Sequence, residues 1–373
     1  MDKHLHIVTH DVPWPADYGG VFDLFYKIKC LYEEGVIIHL HCFYNPGKRN
    51  PAPILQEYCF SVNYYKRTGI RLGKLLCPYI VQSRSSKELL KELNKDEHPI
   101  LFEGIHTTYW LFQHKFPNRN VWVRLHNDEA IYYKKLAEQE HTLFRKAYYQ
   151  IEARLLQRYQ KRMAGLAKFI TVSEDDRSNF IQRYGYKNIV HLPVFIPWQE
   201  VKSTPGIGNF CLYHGNLSVN ENSQAAIWLL KNVFNDLNIP FVIAGKNPPT
   251  DLIIAAHEKQ HTCIVENPSE FELDDLIRKA QVNILPSLNT TGVKLKLIHA
   301  LFQGRHCIVN ENALSGMGLD WREEMPETAA EFKNLISRLY QTAFTENDKM
   351  QRETSLRLFN NKKNVKDLIS WIY

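Results

Sequence analysis

The sequence contains no run of the roughly eighteen uninterrupted apolar residues that a bilayer-spanning helix requires. Its seven cysteines are odd in number and form no C-x-x-C pair, so neither a disulfide framework nor a zinc ribbon is indicated, and buried reduced thiols are expected. No G-x-G-x-x-G follows a strand-like run, which argues against a nicotinamide enzyme. No G-x-x-x-x-G-K-[ST] occurs, which excludes a P-loop NTPase. Lysines and arginines are spread over many elements without a nucleic-acid-binding signature, so no nucleic-acid partner is expected. Met1, Asp2, Lys3 and His4 lead straight into an apolar run with no signal peptide ahead of it, and a cytoplasmic protein is expected.

What is present is a 373-residue chain with 44% apolar and 23% charged residues, a globular balance with length enough for two domains. Its net charge of +6 is uneven. Residues 1–200 hold 28 basic against 21 acidic side chains, and residues 201–373 hold 18 against 19. An anionic partner is therefore expected of the first half, such as a phospholipid surface or a phosphorylated acceptor.

Strand-like and helix-like periods alternate along the first half. Strands are expected at His4–Thr9, Val36–Phe43, Ser61–Tyr65, Ile100–Glu103, Val121–Leu125 and Phe169–Ser173. Between them lie a helix from Val21 to Tyr32, ended by Gly35, and one long amphipathic helix over roughly Tyr132–Met163. Pro193, Pro197, Pro205, Gly206 and Gly208 then read as a linker. The alternation resumes with strands at Phe210–His214, Phe241–Ala244, Cys263–Glu266, Val282–Pro286 and His306–Val309. Such β-α alternation implies two mostly parallel sheets, each covered on both faces.

Ligands of open parallel sheets bind beyond the carboxyl ends of the strands, and four loops there stand out. Asp17, Tyr18, Gly19 and Gly20 precede a helix, where paired glycines let backbone N–H groups approach a phosphate or sugar. His106 follows the Ile100–Glu103 strand. Arg124-Leu-His-Asn-Asp-Glu129 concentrates polar groups after an apolar strand, as a ligand contact or a capped turn. The fourth runs from Asn283 through Gly292 to Lys294 and Lys296 in the first turn of a helix. Cations at a helix N-terminus oppose the dipole, and a bound phosphate would resolve that conflict. His39 and His41 share one face of a strand beside Cys42, a pair expected to be packed, with no third ligand to make a metal site.

In this order of segments the chain resembles GT-B glycosyltransferases of the "group 1" type, retaining enzymes built from two facing Rossmann-like α/β domains. Pro13–Phe25 is similar to their glycine-rich acceptor-side loop, Arg124–Glu129 to their His-Asn-x-Glu turn, and Phe169–Asp175 to their strand ending in Val-Ser. Asn209–Asn222 resembles the opening of the donor domain, Ala244–Lys246 its Ala-Gly strand end, and Ser287–Val309 its donor-site helix and following strand. The resemblance implies an acceptor domain over residues 1–197, a nucleotide-sugar donor domain over 205–353, and a C-terminal helix over 354–373 that packs back on the first domain. It implies hexose transfer from a nucleotide sugar, the co-substrate, to a glycan or lipid-linked acceptor in polysaccharide biosynthesis, with retention and with no metal or other cofactor. No Asp-x-Asp triplet is present for a metal-diphosphate clamp.

The residues it implies are His106, Lys246 and Lys296 for catalysis. Gly19, Gly20, Gly215, Asn216, Glu266, Asn267, Gly292, Lys294 and His299 would bind the donor, and Asp17, Tyr18, Arg124, His126, Asn127 and Glu129 would face the acceptor. One departure is plain: Thr291 and His299 stand where the family carries a Glu-x7-Glu pair. A non-catalytic nucleotide- or glycan-binding protein and a nucleotide-sugar 2-epimerase remain alternatives. Peripheral contact with anionic membrane is a further expectation, from Lys66, Arg67, Arg71, Lys74, Arg84 and Lys87 around Leu72, Leu75, Leu76, Tyr79, Ile80 and Val81.

Overall fold

A computed structural model describes residues 2–69, 76–290, 292–321 and 323–373 of the chain. It divides into two compact units, Met1–Pro197 with Phe359–Tyr373, and Trp198–Leu358. In the first unit, β1 (His4–Thr9), β2 (Ile37–Tyr44), β3 (Ser61–Lys66), β4 (Ile100–Glu103), β5 (Val121–Leu125), β6 (Lys168–Thr171) and β7 (Ile189–His191) form one sheet in the order β3-β2-β1-β4-β5-β6-β7. Every pairing is parallel. β7 escaped the sequence reading because three residues carry no measurable period. Chain order reverses between β1 and β4, which is the switch point at which such sheets hold ligands.

Two apolar layers sandwich this sheet. One gathers Val8, Phe102, Val123, Leu156 and Phe169, and the other Leu5, Ile7, Leu24, Ile28, Leu40 and Leu101. The helix Asn361–Ile372 completes the second layer with Val365, Leu368, Ile369 and Ile372. Trp371 stacks on Trp122 with ring centroids 6.2 Å apart, and Asn361 Nδ2 donates to the Ile196 carbonyl. The return to the first unit falls at Phe359, so residues 354–358 stay with the second unit.

The second unit repeats the plan with β8 (Cys211–Asn216), β9 (Phe241–Lys246), β10 (Thr262–Glu266), β11 (Val282–Ile284) and β12 (His306–Ile308), in the order β10-β9-β8-β11-β12. All pairings are again parallel, and the switch point lies between β8 and β11. Phe234 and Phe241 stack 3.9 Å apart in a core that also holds Leu229, Ile243, Ile284 and Phe332.

One expected element is corrected. The long helix over Tyr132–Met163 is two helices, Glu129–Gln139 and Leu143–Met163. Glu140 turns to extended backbone, its carboxylate accepts from the Thr142 N–H, and the chain restarts with Thr142 at the N-cap. Apolar residues recur on both sides of the break, so the sequence period alone does not reveal it. Of the expected basic-apolar patch, Ile80, Val81 and Arg84 are buried and Leu76 is exposed, while Arg71, Leu72, Lys74 and Leu75 lie outside the described residues. Among the described residues no helix is long and apolar enough to cross a membrane.

Candidate functional site

The first unit's polar residues gather where β1, β4 and β5 end. The helix Gly19–Glu33 buries Val21, Leu24, Ile28 and Leu31, yet the same face carries Asp23 and Lys27, both fully buried. Burying such charges costs several kcal/mol per ion unless partners are close. They are close here. Arg124 grips Asp23 through Nε and an Nη at 2.7 and 2.8 Å, Lys27 Nζ lies 3.1 Å from Asp23 and 2.7 Å from Glu103, and the Phe195 N–H donates to Asp23. Burial alone would raise both carboxyls, but Arg124 and Lys27 hold Asp23 far below the usual range, and Lys27 and His126 hold Glu103 below it. Arg124, expected at the acceptor, is instead an internal clamp with no exposure.

Above this cluster sit three imidazoles. His126 Nε2 lies 3.0 Å from a Glu103 oxygen, and the His10 ring stands edge-on to His126 and stacks on His106 at 5.2 Å. His106 follows Gly104, whose φ of +75° and lack of a side chain make room; a Cβ there would stand 2.7 Å from His106 Nδ1. Among the described residues, Nδ1 of both His10 and His106 is buried without a hydrogen-bond partner, and each such orphan costs about 1–3 kcal/mol. Burial, followed by the charge of Arg84, keeps His106 neutral, well below the ordinary imidazole range. Glu129 stands 4.0 Å from His106 Nε2, and burial pushes its carboxyl up to about 7. Asn127 is hydrogen-bonded to Glu129, and the turn between them is capped by Asp128, which accepts from the Ala130 and Ile131 N–H groups.

Gly19 and Gly20 are the first two residues of their helix rather than the turn before it. The His10 ring lies 3.1 Å from where a Gly20 Cβ would stand, so only glycine leaves that ring in place. Tyr18 caps the helix, donates to Asp11 and carries Arg49 over its ring, while Asp17 is ion-paired with Arg49.

In the second unit the switch point is built around Lys296. The helix Leu295–Gln303 has Lys294 at its N-cap and Lys296 in its first turn. Lys296 Nζ donates to Asn222 Oδ1 at 2.9 Å and to the Tyr213 hydroxyl at 3.2 Å, and lies 4.7 Å over the Tyr213 ring. Burial pulls its ammonium down to about 8, against the pull of Glu221. Glu221 accepts from Ser287 Oγ and Asn289 Nδ2, and Asn289 Oδ1 accepts from Lys294 Nζ at 3.2 Å. One hydrogen-bonded chain thus ties the loop after β11 to the helix after β8. His214, at the end of β8, is buried with Nε2 unpartnered among the described residues. Burial, then His299 and Lys296, keep it neutral.

Gly215, Asn216, Gly245 and Lys246 end β8 and β9 in register, and the two glycines let the strand ends meet: a Cβ on Gly245 would lie 1.9 Å from the Gly215 carbonyl oxygen. The Asn216 carbonyl accepts from Asn222 Nδ2, and the Lys246 side chain is exposed. Glu266 ends β10, exposed, and Asn267 follows with a left-handed φ of +50°, bonding Gly245 O and the Asn247 N–H. Gly292 also has a positive φ, +70°, while Thr291 lies outside the described residues. His299 is not a free ribose donor: its Nε2 is held by Asp274 at 2.6 Å and its ring stacks on Trp198.

Sequence reasoning missed Asp23, Lys27, His10, Tyr213, His214, Glu221 and Asn222. The only signal for the first pair is an acid and a lysine at i and i+4 on an otherwise apolar face. Tyr213 and His214 sit within a strand-like run and read there as core.

Residues 208–341, inside the second unit, match the family "Glycosyl transferases group 1". The chain carries a group 1 glycosyltransferase domain. It is also 28% identical over 343 residues, 86% of each chain, to an uncharacterized 44.6 kDa protein in the cps region of Klebsiella pneumoniae. Among solved structures, TarM shares its fold at a TM-score of 0.66 and 10% identity, with 99% of this chain and 98% of that one covered. Anabaena Alr3699/HepE, in complex with UDP and glucose, has a TM-score of 0.65 at 11% identity with 99% of each chain covered. The pneumococcal O-GlcNAc transferase GtfA, in complex with UDP and GlcNAc, has a TM-score of 0.63 at 11% identity, covering 100% of this chain and 98% of that one. The architecture of this glycosyltransferase is therefore GT-B, with two parallel-sheet α/β domains.

Proposed function

We propose that the chain transfers a hexose from a nucleotide sugar bound in its second unit to a glycan or lipid-linked acceptor bound in its first. The observation that carries the reading is the Lys296 ammonium, held by Tyr213 and Asn222 in the first turn of a helix whose dipole disfavours it. A diphosphate there would accept from Lys296, from Lys294 and from the backbone N–H groups of that turn. It would also give the orphan Nε2 of His214 an oxygen to bond. Fixed cations and dipoles aimed at a departing diphosphate stabilise the charge that develops in the transition state. Gly215, Asn216 and Lys246, at the ends of β8 and β9, and Gly292, in the loop before the same helix, are assigned to the donor, and Glu266 and Asn267 are the reading's contacts to the base.

In the first unit, His106 is the group assigned to the transferred sugar. Its buried, unpartnered Nδ1 suits a neutral imidazole that exchanges a hydrogen bond with a hydroxyl. Gly19 and Gly20 supply N–H groups at a helix start, and Asp17, Tyr18, His126, Asn127 and Glu129 are assigned to the acceptor side. UDP in the Alr3699/HepE and GtfA complexes favours a uridine donor, and the cps-region relative favours a role in surface polysaccharide synthesis. Retention of anomeric configuration follows from the resemblance to retaining enzymes.

Incubation with labelled UDP- and GDP-hexoses and candidate glycan acceptors tests this directly. Acceptor-dependent release of the nucleotide, with a product of the donor's own anomeric configuration by NMR, is the expected result. Formation of a 2-epimer, or binding without turnover on every donor, would replace the proposal with one of its alternatives.

A further inference from the structure

The opposite end of the first sheet, where β1 and β2 begin and β4 is entered, holds a second concentration of histidines. His4 opens β1, His39 lies in β2, and His98 sits in the loop before β4. Their rings stack: His4 and His98 have centroids 4.4 Å apart, His4 and His39 5.3 Å, and His39 and His98 6.0 Å. His4 Nδ1 and His39 Nε2 are 3.0 Å apart, and one donor nitrogen from each of the three rings lies within 4.8 Å of the others. All three side chains are half-buried.

We propose that His4, His39 and His98 form a site for a divalent transition-metal ion, zinc above all, that clips the starts of β1 and β2 to the loop entering β4. Imidazole suits zinc, copper and nickel, and zinc–nitrogen bonds of about 2.0–2.1 Å in a tetrahedral site place two nitrogens roughly 3.3 Å apart. The His4–His39 spacing of 3.0 Å is within a few tenths of an ångström of that, and His98 reaches it by turning its ring.

Ligation needs each ring to carry its one proton on the other nitrogen. For His39 that nitrogen is Nδ1, which lies 3.2 Å from Ser61 Oγ, so the hydroxyl accepts the proton and fixes the tautomer as outer partners of metal-bound histidines do. For His4 the proton moves to Nε2, and no proton is lost overall. Asp96 accepts from the His98 N–H and so holds its loop, and adds negative charge that Arg119 partly offsets. Half-burial leaves an entry path and a fourth position for water.

The pairing pattern supports a clip rather than a reacting centre. His10, at the site described above, follows β1, and a six-residue strand spans roughly 20 Å. Among the described residues, the other trio with ligand spacing, Asp23, Glu103 and His126, is already neutralised by Lys27 and Arg124 and is not a rival.

The test uses the full chain, stripped with chelator, dialysed, and given equimolar zinc. One retained ion per chain is expected by elemental mass spectrometry, with affinity reduced by more than about tenfold in His39→Ala and in His98→Ala. A chain that retains no zinc overturns the proposal, as does equal retention by both variants. Should a variant fail to fold, the unaltered chain decides: zinc should protect His4, His39 and His98 from diethylpyrocarbonate, read by peptide mass spectrometry. Equal modification with and without bound zinc would place the ion elsewhere and refute the site.

Discussion

Replacing Lys296 by methionine keeps the side chain's length and removes its charge. The ammonium already sits against Tyr213 and Asn222, with burial lowering it from 10.5 to about 8. At pH 7 it is therefore mostly charged. A unit charge about 4 Å from a phosphate oxygen is worth ~4 kcal/mol at an effective dielectric of about 20, and removal of one fixed donor typically costs ~3–4 kcal/mol. Lys296→Met should accordingly weaken nucleotide diphosphate binding by roughly 100- to 1,000-fold at pH 7. The sign with pH follows. A bound diphosphate favours the protonated amine, so above about 8 the free protein must take up a proton to bind, and affinity falls as pH rises, approaching about tenfold per pH unit. Isothermal titration between roughly pH 6.5 and 9.5 reads both effects, and Lys296→Met should lack the decline. Unchanged affinity, or an identical decline in the variant, would refute the reasoning.

Four further outcomes are expected. Asp23→Ala leaves Arg124 buried without its carboxylate partner and Lys27 with Glu103 alone, and should cost about 3–5 kcal/mol in chemical denaturation of the first unit. Gly245→Ala brings a methyl into the Gly215 carbonyl and should destabilise the second unit by at least about 1–3 kcal/mol, seen as a lower Tm. Glu129 titrates near 7 in the folded chain against 4.5 when free, so the native state binds the extra proton and its contribution to stability is lost as pH rises from 4.5 to 7. Glu129→Gln should flatten the stability profile in that window, by roughly 1–3 kcal/mol across it. His106→Ala should lower the transfer rate by about 100-fold or more while nucleotide affinity stays within about twofold, because the change lies in the first unit.

The fold was largely legible because parallel strands buried on both faces give nearly unbroken apolar runs. His4–Thr9, Ile100–Glu103 and Val121–Leu125 were bounded in the sequence as they are in space. The Lys294/Lys296 pair was legible for an electrostatic reason, two cations at a helix start. What surrounds Lys296 was not, since Tyr213, Asn222 and Glu221 are distant from it in sequence and converge only when β8 and β11 become neighbours. Arg124 misled because an arginine at a strand end next to His-Asn reads as a ligand contact, whereas its partner Asp23 is 101 residues away. His39 and His41 are packed as expected, His39 against Ser61 and His41 against Tyr65 and His6, but the histidine rings stacked on His39, those of His4, His6 and His98, are distant from it in sequence and could not be read there.

The central claim is that the second unit receives a nucleotide diphosphate on Lys294 and Lys296. Thermal denaturation of the full chain with millimolar UDP, GDP and their hexose conjugates tests it most directly. Ligand at about 100 times its Kd adds ~2.7 kcal/mol to the native state, which is a rise of roughly 5–10 °C for a domain of this size. The account predicts such a rise with one nucleotide family and its loss in Lys296→Met. No rise with any of them, or the same rise in the variant, would contradict it.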